Sequence, residues 1–297
     1  MTLVERSPAK LNLFLNILGR RADGYHELET ILHPLAVWDY LHFETRPAGI
    51  ELSCDDARLP VDDRNLVYRA ARRFFEVTGL RGGIRIHLEK RIPHGAGLGG
   101  GSGNAATTLR ILNECYGRPL DSDWLQKLAA ELGADVPFFL WSRPALALGR
   151  GDCLRPLDWF AAFEGCAFVV VYPGFGIATP WAYAQMIRFP SGLQGRPGRA
   201  QAALAAFQGT DPCLAAAEFF NALELPAFEK YPVLELYQEF FMEQGALGAR
   251  MTGSGSAVFA LARNLATAQR MEAAWKEQFG YQLWTAVVPV RPTSDMP

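Results

Sequence analysis

The chain has 297 residues, 49% apolar and 20% charged, with a formal net charge of -2. That balance excludes disordered, collagen-like and disulfide-scaffold classes, and it allows about two domains at roughly 150 residues each. Net charge near zero offers no electrostatic case for a nucleic-acid or membrane-surface partner, so any anion must be held by a local device.

At the start of the chain, Arg6 and Lys10 ahead of an apolar run faintly mimic a secretory leader. Asn12 and Asn16 interrupt that run, Arg20 and Arg21 follow it, and no small-x-small cleavage site appears. The alternation of Leu11, Leu13, Leu15 and Ile17 predicts a strand with one apolar face, which puts Lys10 and Asn12 together off that face. Asp23-Gly24 marks a turn, and strands are predicted over 30–37, 41–44 and 50–53. A helix over 65–77 carries Leu66, Ala70, Phe74 and Val77 on one side and stops at Gly79. Ile84, Ile86 and Leu88 alternate in a strand, and helices follow over 102–116 and 122–132, closed by Gly117 and Gly133. Strands and helices mix without a βαβ rhythm, which predicts an α+β fold and not a doubly wound sheet.

We place the domain division at 1–155 and 156–297. In the second part 168–172 reads as a buried strand and Thr179-Pro180 as an N-cap and first turn. Residues 190–199, with Pro190, Gly192, Gly195, Pro197 and Gly198, read as a mobile surface loop. Helices are predicted over 200–208, 213–222 and 232–244, then strand, helix and strand over 256–262, 265–279 and 282–290. The apolar run 166–172 is too short to span a bilayer. Five cysteines lie far apart with no C-x-x-C pair, which argues against disulfides or structural zinc and fits a reducing, cytoplasmic setting. The other histidines, His33, His42, His87 and His94, have no metal-like spacing and read as structural.

The informative stretch is 93–106, PHGAGLGGGSGNAA, with six glycines between 95 and 103. Glycines between a strand and a helix let backbone N–H groups converge, and the helix adds its positive end, which suits phosphate. A flexible connection is the bland alternative. Gly95-x-Gly97-x-x-Gly100 formally matches a dinucleotide fingerprint, but its approach through Glu89-Lys90-Arg91-Ile92-Pro93 is charged and proline-broken. A Walker A loop is excluded, since the chain has no Gly-Lys dipeptide.

Pro93 followed by Gly97-Leu98-Gly99 and small residues resembles the phosphate loop of the GHMP kinase superfamily. Within it, Gly97 to Ala106, with Gly100-Gly101 where most members carry Ser-Ser, is similar to the 4-diphosphocytidyl-2-C-methyl-D-erythritol kinases of the non-mevalonate isoprenoid pathway. Ser7-Pro8-Ala9-Lys10-Leu11-Asn12, Arg21-Ala22-Asp23-Gly24-Tyr25-His26, Gly133-Ala134-Asp135-Val136-Pro137 and Thr252-Gly253-Ser254-Gly255-Ser256 match that family's other motifs in order.

The resemblance implies an N-terminal ribosomal S5 domain 2-like domain and a C-terminal ferredoxin-like domain. It implies ATP as co-substrate, with Mg2+ inferred from triphosphate chemistry. Asp135 becomes the base or orienter of the acceptor hydroxyl, and Lys10 its electrostatic partner, holding it ionised; alone they read as a turn aspartate and a strand-face lysine. The nucleotide would lie against Pro93, Gly95, Ala96, Gly97, Leu98, Gly99, Gly100, Gly101, Ser102, Gly103 and Asn104, with Lys90 and Asn65 near the base. Ser102 is either an N-cap, a phosphate or metal contact, or both. Asn12, Tyr25, His26, Tyr183, Gly253, Ser254 and Gly255 would hold the cytidyl alcohol, with Trp181 competing with Tyr183 for the second aromatic and Gly253-Ser254-Gly255 either packing against the phosphate loop or touching the substrate's phosphates. No protein metal site is expected, the partners are small molecules, and the chain is expected to be a monomer or weak homodimer. A GHMP kinase for homoserine or mevalonate, and a non-catalytic nucleotide-binding module, remain alternatives.

Overall fold

The computed structural model describes residues 3–291. Two long strands, β1 (Leu3–Arg20) and β2 (His26–Arg46), form its spine, followed by β3 (Gly49–Cys54), α1 (Leu66–Thr78) and β4 (Gly83–Glu89). Then come α2 (Gly100–Cys115), α3 (Ser122–Leu132), β5 (Ala145–Gly149), β6 (Cys153–Pro156) and β7 (Ala167–Tyr172). The helices α4 (Thr179–Gln185), α5 (Pro190–Leu193), α6 (Arg199–Phe207) and α7 (Pro212–Ala217) precede the two-residue strand β8 (Phe220–Asn221). The chain closes with α8 (Glu224–Lys230), α9 (Val233–Glu243), β9 (Gly248–Met251), β10 (Val258–Ala262), α10 (Leu265–Phe279) and β11 (Trp284–Pro289).

The first sheet runs β3-β4-β2-β1-β8, with β5 on the other part of β2 and β6 beyond it. The helices α1, α2 and α3 cover it through Val67, Phe74, Leu109, Leu112 and Leu128, packed on Phe43, Ile84 and Ile86. The second sheet runs β11-β7-β10-β9 and is antiparallel throughout. Counted in chain order within that sheet, this is the βαββαβ arrangement of a ferredoxin-like domain. Leu234, Phe241, Met271 and Trp275 from α9 and α10 pack on it. The α+β expectation stands, and among the described residues no helix is long and apolar enough to cross a membrane. All five cysteines are free.

Several local expectations change. The strands predicted over 30–37 and 41–44 are one strand, because a register shift at Pro8/Ala9 absorbs the irregularity without a turn. A second shift, between Asn12 and Phe14, defeats the single apolar face of β1. Leu11, Leu13 and Phe14 belong to one core, whereas Leu15 and Ile17 belong to another. The helix predicted from Ser102 starts at Gly100, with Gly99 as its N-cap. The N-cap of α4 is Ala178 and not Thr179, whose hydroxyl instead pairs with Ser254 at 2.9 Å.

The helix predicted over 213–222 stops at Ala217, because Phe220 and Asn221 pair with Phe14 and Leu15 of β1. Strands β5, β6 and β9 and helix α8 were not anticipated; each is short. The supposed loose loop 190–199 contains α5 and is pinned to the first sheet. Gly195 donates its N–H to Ile17 O at 2.9 Å, Asn16 donates to Arg196 O at 3.1 Å, and Gly198 donates to Glu29 Oε1 at 2.7 Å.

Candidate active site

A cleft of about 1010 Å³ opens over the second half of β1, the glycine loop, the start of α2 and α4. Its centre is built from two glycine loops pressed together. Gly97 has φ +80°, and a Cβ there would fall 2.2 Å from Thr252 O, so only glycine permits this approach. Lys10 N–H donates to Leu98 O at 2.9 Å, and Ala257 N–H donates to Ala96 O at 3.0 Å, which ties the first loop to β1 on one side and to the second domain on the other. Gly99, in the left-handed region at φ 72°, turns the chain directly into α2. The first turn of α2 has neither a side-chain cap nor an acidic residue. Its unpaired N–H groups and helix dipole therefore form an anion site on the cleft wall.

Lys10 is 3% exposed, and its ammonium donates to Asn12 Oδ1 and, at 2.7 Å, to Gly97 O. Asp135, two residues past the helix-ending Gly133, is 42% exposed and lies 3.9 Å from Lys10 Nζ. Burial pushes the Lys10 ammonium below the ordinary lysine range, and the Asp135 charge opposes that shift. Asn12 donates its amide to Thr30 Oγ1 at 2.8 Å, and Thr30 donates to Phe14 O, so the Asn12 oxygen is held toward Lys10. The arrangement offers a cation between an anion site and a solvent-accessible carboxylate.

At the other end the rings of His26 and Tyr183 stack with centroids 5.0 Å apart. Burial, and then the Arg20 charge, lower the His26 pKa and favour the neutral ring. Burial, and then Asp135, push the Tyr183 hydroxyl above its ordinary range. Tyr25 is 58% exposed, with the Arg150 guanidinium 5.0 Å from its ring centroid. Trp181 points elsewhere, under Lys230, and does not line the cleft.

The cleft brings together Lys10, Asn12, Tyr25, His26, Asn65, Lys90, Pro93, Gly95, Ala96, Gly97, Leu98, Gly99, Gly100, Gly101, Ser102, Asn104, Asp135, Tyr183, Gly253 and Ser254. Two anticipated residues lie outside it. A Cβ on Gly103 would meet Pro8 O at 2.7 Å, so this glycine seats α2 on β1. A Cβ on Gly255 would meet Met251 Sδ at 2.5 Å, so this one faces inward. Ser102 stands in the first turn of α2 and is not its N-cap. Asn65 caps α1 through Val67 N–H at 2.9 Å, and Asn104 donates to Ser7 Oγ at 3.0 Å, so both side chains are committed within the protein.

Sequence reasoning missed Arg20, Arg64 and Arg150, which line the cleft although nothing in their local sequence marks them, and it read His94 as structural although this residue of the glycine-rich stretch lines the cleft as well. It also missed two buried polar residues behind the cleft. Asn221 donates to Met251 O at 2.7 Å and to Gly253 O at 2.8 Å, bracing the second loop. Asp39 carried a legible signal: it shares the alternation of Leu41 and Phe43, a buried apolar phase of β2. Among the described residues no group of three or more His, Cys, Asp or Glu side chains could hold a metal.

Residues 65–143 match the GHMP kinases N terminal domain, and residues 194–280 match the GHMP kinases C terminal. A 4-diphosphocytidyl-2-C-methyl-D-erythritol kinase of Protochlamydia amoebophila is 40% identical over 255 residues, 86% of this chain and 83% of its own length. One of Chlorobium chlorochromatii is 42% identical over 261 residues, 88% of each. The chain belongs to the 4-diphosphocytidyl-2-C-methyl-D-erythritol kinase family of the GHMP kinases. A crystal structure of 4-(cytidine 5'-diphospho)-2C-methyl-D-erythritol kinase superposes with TM-score 0.77 at 37% identity, covering 97% of this chain and 99% of that one. A homoserine kinase from Cytophaga hutchinsonii shares the fold, with TM-score 0.75 at 20% identity and coverage of 96% and 93%. As a member of the GHMP kinases the chain is a small-molecule kinase with ATP as co-substrate.

Proposed function

We propose that this GHMP kinase transfers the γ-phosphoryl group of ATP to the 2-hydroxyl of 4-diphosphocytidyl-2-C-methyl-D-erythritol, within the non-mevalonate isoprenoid pathway. The observation that carries the reading is the sequence of groups along one cleft: an uncapped helix start, the Lys10–Asp135 pair, and the His26–Tyr183 stack. The relatives named above supply the substrate class.

In this reading the triphosphate lies on the N–H groups of the glycine loop and the α2 start. The acceptor hydroxyl oxygen bonds to the γ-phosphorus, the bond to the β,γ-bridging oxygen breaks, ADP leaves, and the hydroxyl proton passes to Asp135. Lys10 offsets charge on the attacking oxygen and the transferring group, and Gly97 O and Asn12 Oδ1 keep its ammonium aimed. The cytosine stacks in the Tyr25, His26 and Tyr183 corner, where a neutral imidazole can bond to its edge. Mg2+ would travel with the nucleotide and neutralise phosphate charge; the Ser102 hydroxyl and the Asp135 carboxylate are the oxygen donors of this cleft that suit it. We place the domain boundary near 155/156, just as β6 leaves the first sheet, and assign the protein as a monomer or weak homodimer.

The test is ATP consumption with the cytidyl alcohol, with mevalonate, with homoserine and with no acceptor. Turnover only with the cytidyl alcohol is expected. Preference for either of the others reassigns the acceptor, and no acceptor-dependent turnover overturns the proposal.

A further inference from the structure

Asp39 is fully buried on β2 and does not line the cleft, yet it holds both ends of the glycine loop. Its Oδ1 accepts the N–H groups of Arg91 at 2.8 Å and of Ile92 at 2.9 Å, where the chain enters the loop. Its Oδ2 accepts from the Lys90 ammonium and, at 3.0 Å, from the Asn104 amide, where the chain leaves along α2. Lys90 does line the cleft, and its side chain is only 7% exposed.

The position of Lys90 is costly without that carboxylate. A Cβ on Gly100 would lie 3.2 Å from Lys90 Nζ, so the ammonium sits against the first residue of α2, at the positive end of the helix dipole. A buried cation there is repelled by the helix and loses its water. A carboxylate behind it offsets both effects and leaves the cation fixed beside the cleft's anion site.

We propose that Asp39 is a positioning residue for ATP, acting through the Lys90 ammonium that it holds beside the glycine loop and not by touching the nucleotide. This rests on the assignment of the loop as the ATP site.

Asp39→Asn keeps the shape and the Oδ1 acceptor but turns an NH2 group toward Lys90 and Asn104. ATP Kd by calorimetry without acceptor, and ATP KM, are expected to rise about tenfold or more, while kcat and acceptor KM stay within about threefold. In a Lys90→Met background the same substitution is expected to change ATP Kd by less than about twofold, because Asp39 then has no ammonium to hold. An unchanged ATP Kd, a parallel loss in kcat and both KM values, or a full effect persisting beside Lys90→Met overturns the proposal. If Asp39→Asn alone gives no soluble protein, the double variant, which buries no uncompensated charge, is compared with Lys90→Met. Equal ATP Kd supports the proposal, and a further rise of about tenfold overturns it. Wild-type protein that binds ATP but phosphorylates no acceptor defeats the proposed activity and leaves the Asp39 comparison readable; wild-type protein that binds no ATP overturns both.

Discussion

The proposed chemistry rests on a lysine that is nearly dry and an aspartate that is not. Lys10 is buried with two acceptors, whereas Asp135 stands 42% exposed at 3.9 Å from it. Such a pair leaves the carboxylate free to meet a substrate hydroxyl while the cation stays aimed. Asp135→Asn is expected to lower kcat by about 10²–10⁴-fold, the usual worth of a positioned acid or base. Lys10→Ala should cost about 10²–10³-fold as a lost charge stabiliser. Circular dichroism should show both variants folded, and near-normal turnover in either would remove the pair from the mechanism. Tyr183 belongs to the same scale. Its ring stacks on His26, so Tyr183→Ala should raise the KM for the cytidyl substrate by about 1–3 kcal/mol of lost stacking, with ATP KM unchanged. An unaltered cytidyl KM excludes it from base recognition.

At the scale of elements, the site depends on two glycine loops that meet without side chains between them. Gly97→Ala would drive a methyl group against Thr252 O at 2.2 Å, so the loops must part. Gly79 is the control: it too has positive φ, at +63°, but nothing lies within 4 Å of its Cβ position. Gly79→Ala should cost about 1 kcal/mol of stability with unchanged kinetics, since only helix capping is disturbed. Gly97→Ala should add to a similar strain a rise in ATP KM of about tenfold or more. Equal kinetics in the two variants would show that the contact between the loops does not matter for the nucleotide.

For the whole molecule, one buried histidine ties stability to pH. His33 is fully buried against Trp159, Phe160 and Phe168, and neither ring nitrogen has a partner. Burial lowers its pKa from 6.5 to about 4. The unfolded chain therefore takes up a proton near pH 6.5 that the folded one refuses until about pH 4. The His33 contribution to stability falls across that window as pH drops, by up to about 3 kcal/mol. The urea midpoint at pH 5 relative to that at pH 7.5 should be higher in His33→Phe than in the wild type, with buried Glu224, raised to about 7, left to act in the opposite direction; an unchanged difference would assign the acid sensitivity to other groups.

The existence of strand β1, the capped helix at 65–78 and the terminal strand–helix–strand were legible because short-range patterns set them. So were the family motifs, since phosphate chemistry needs glycine where backbone must meet a ligand. Gly103 and Gly255 read as ligand contacts because sequence shows a missing side chain and not what fills the space; Pro8 reaches Gly103 from a distant strand, and Met251, though near in sequence, is folded back onto Gly255 by the turn of the second loop. The strand at Phe220 and the anchoring of 190–199 were hidden for the same reason, since their partners on β1 and β2 are 169 to 206 residues away. By itself the sequence determined the family and the local elements that bear its motifs. Only the tertiary structure decided which of them face one cleft and which buried groups, Asp39 and Asn221, hold those elements there, because burial and pairing across such separations depend on how the sheets and loops pack.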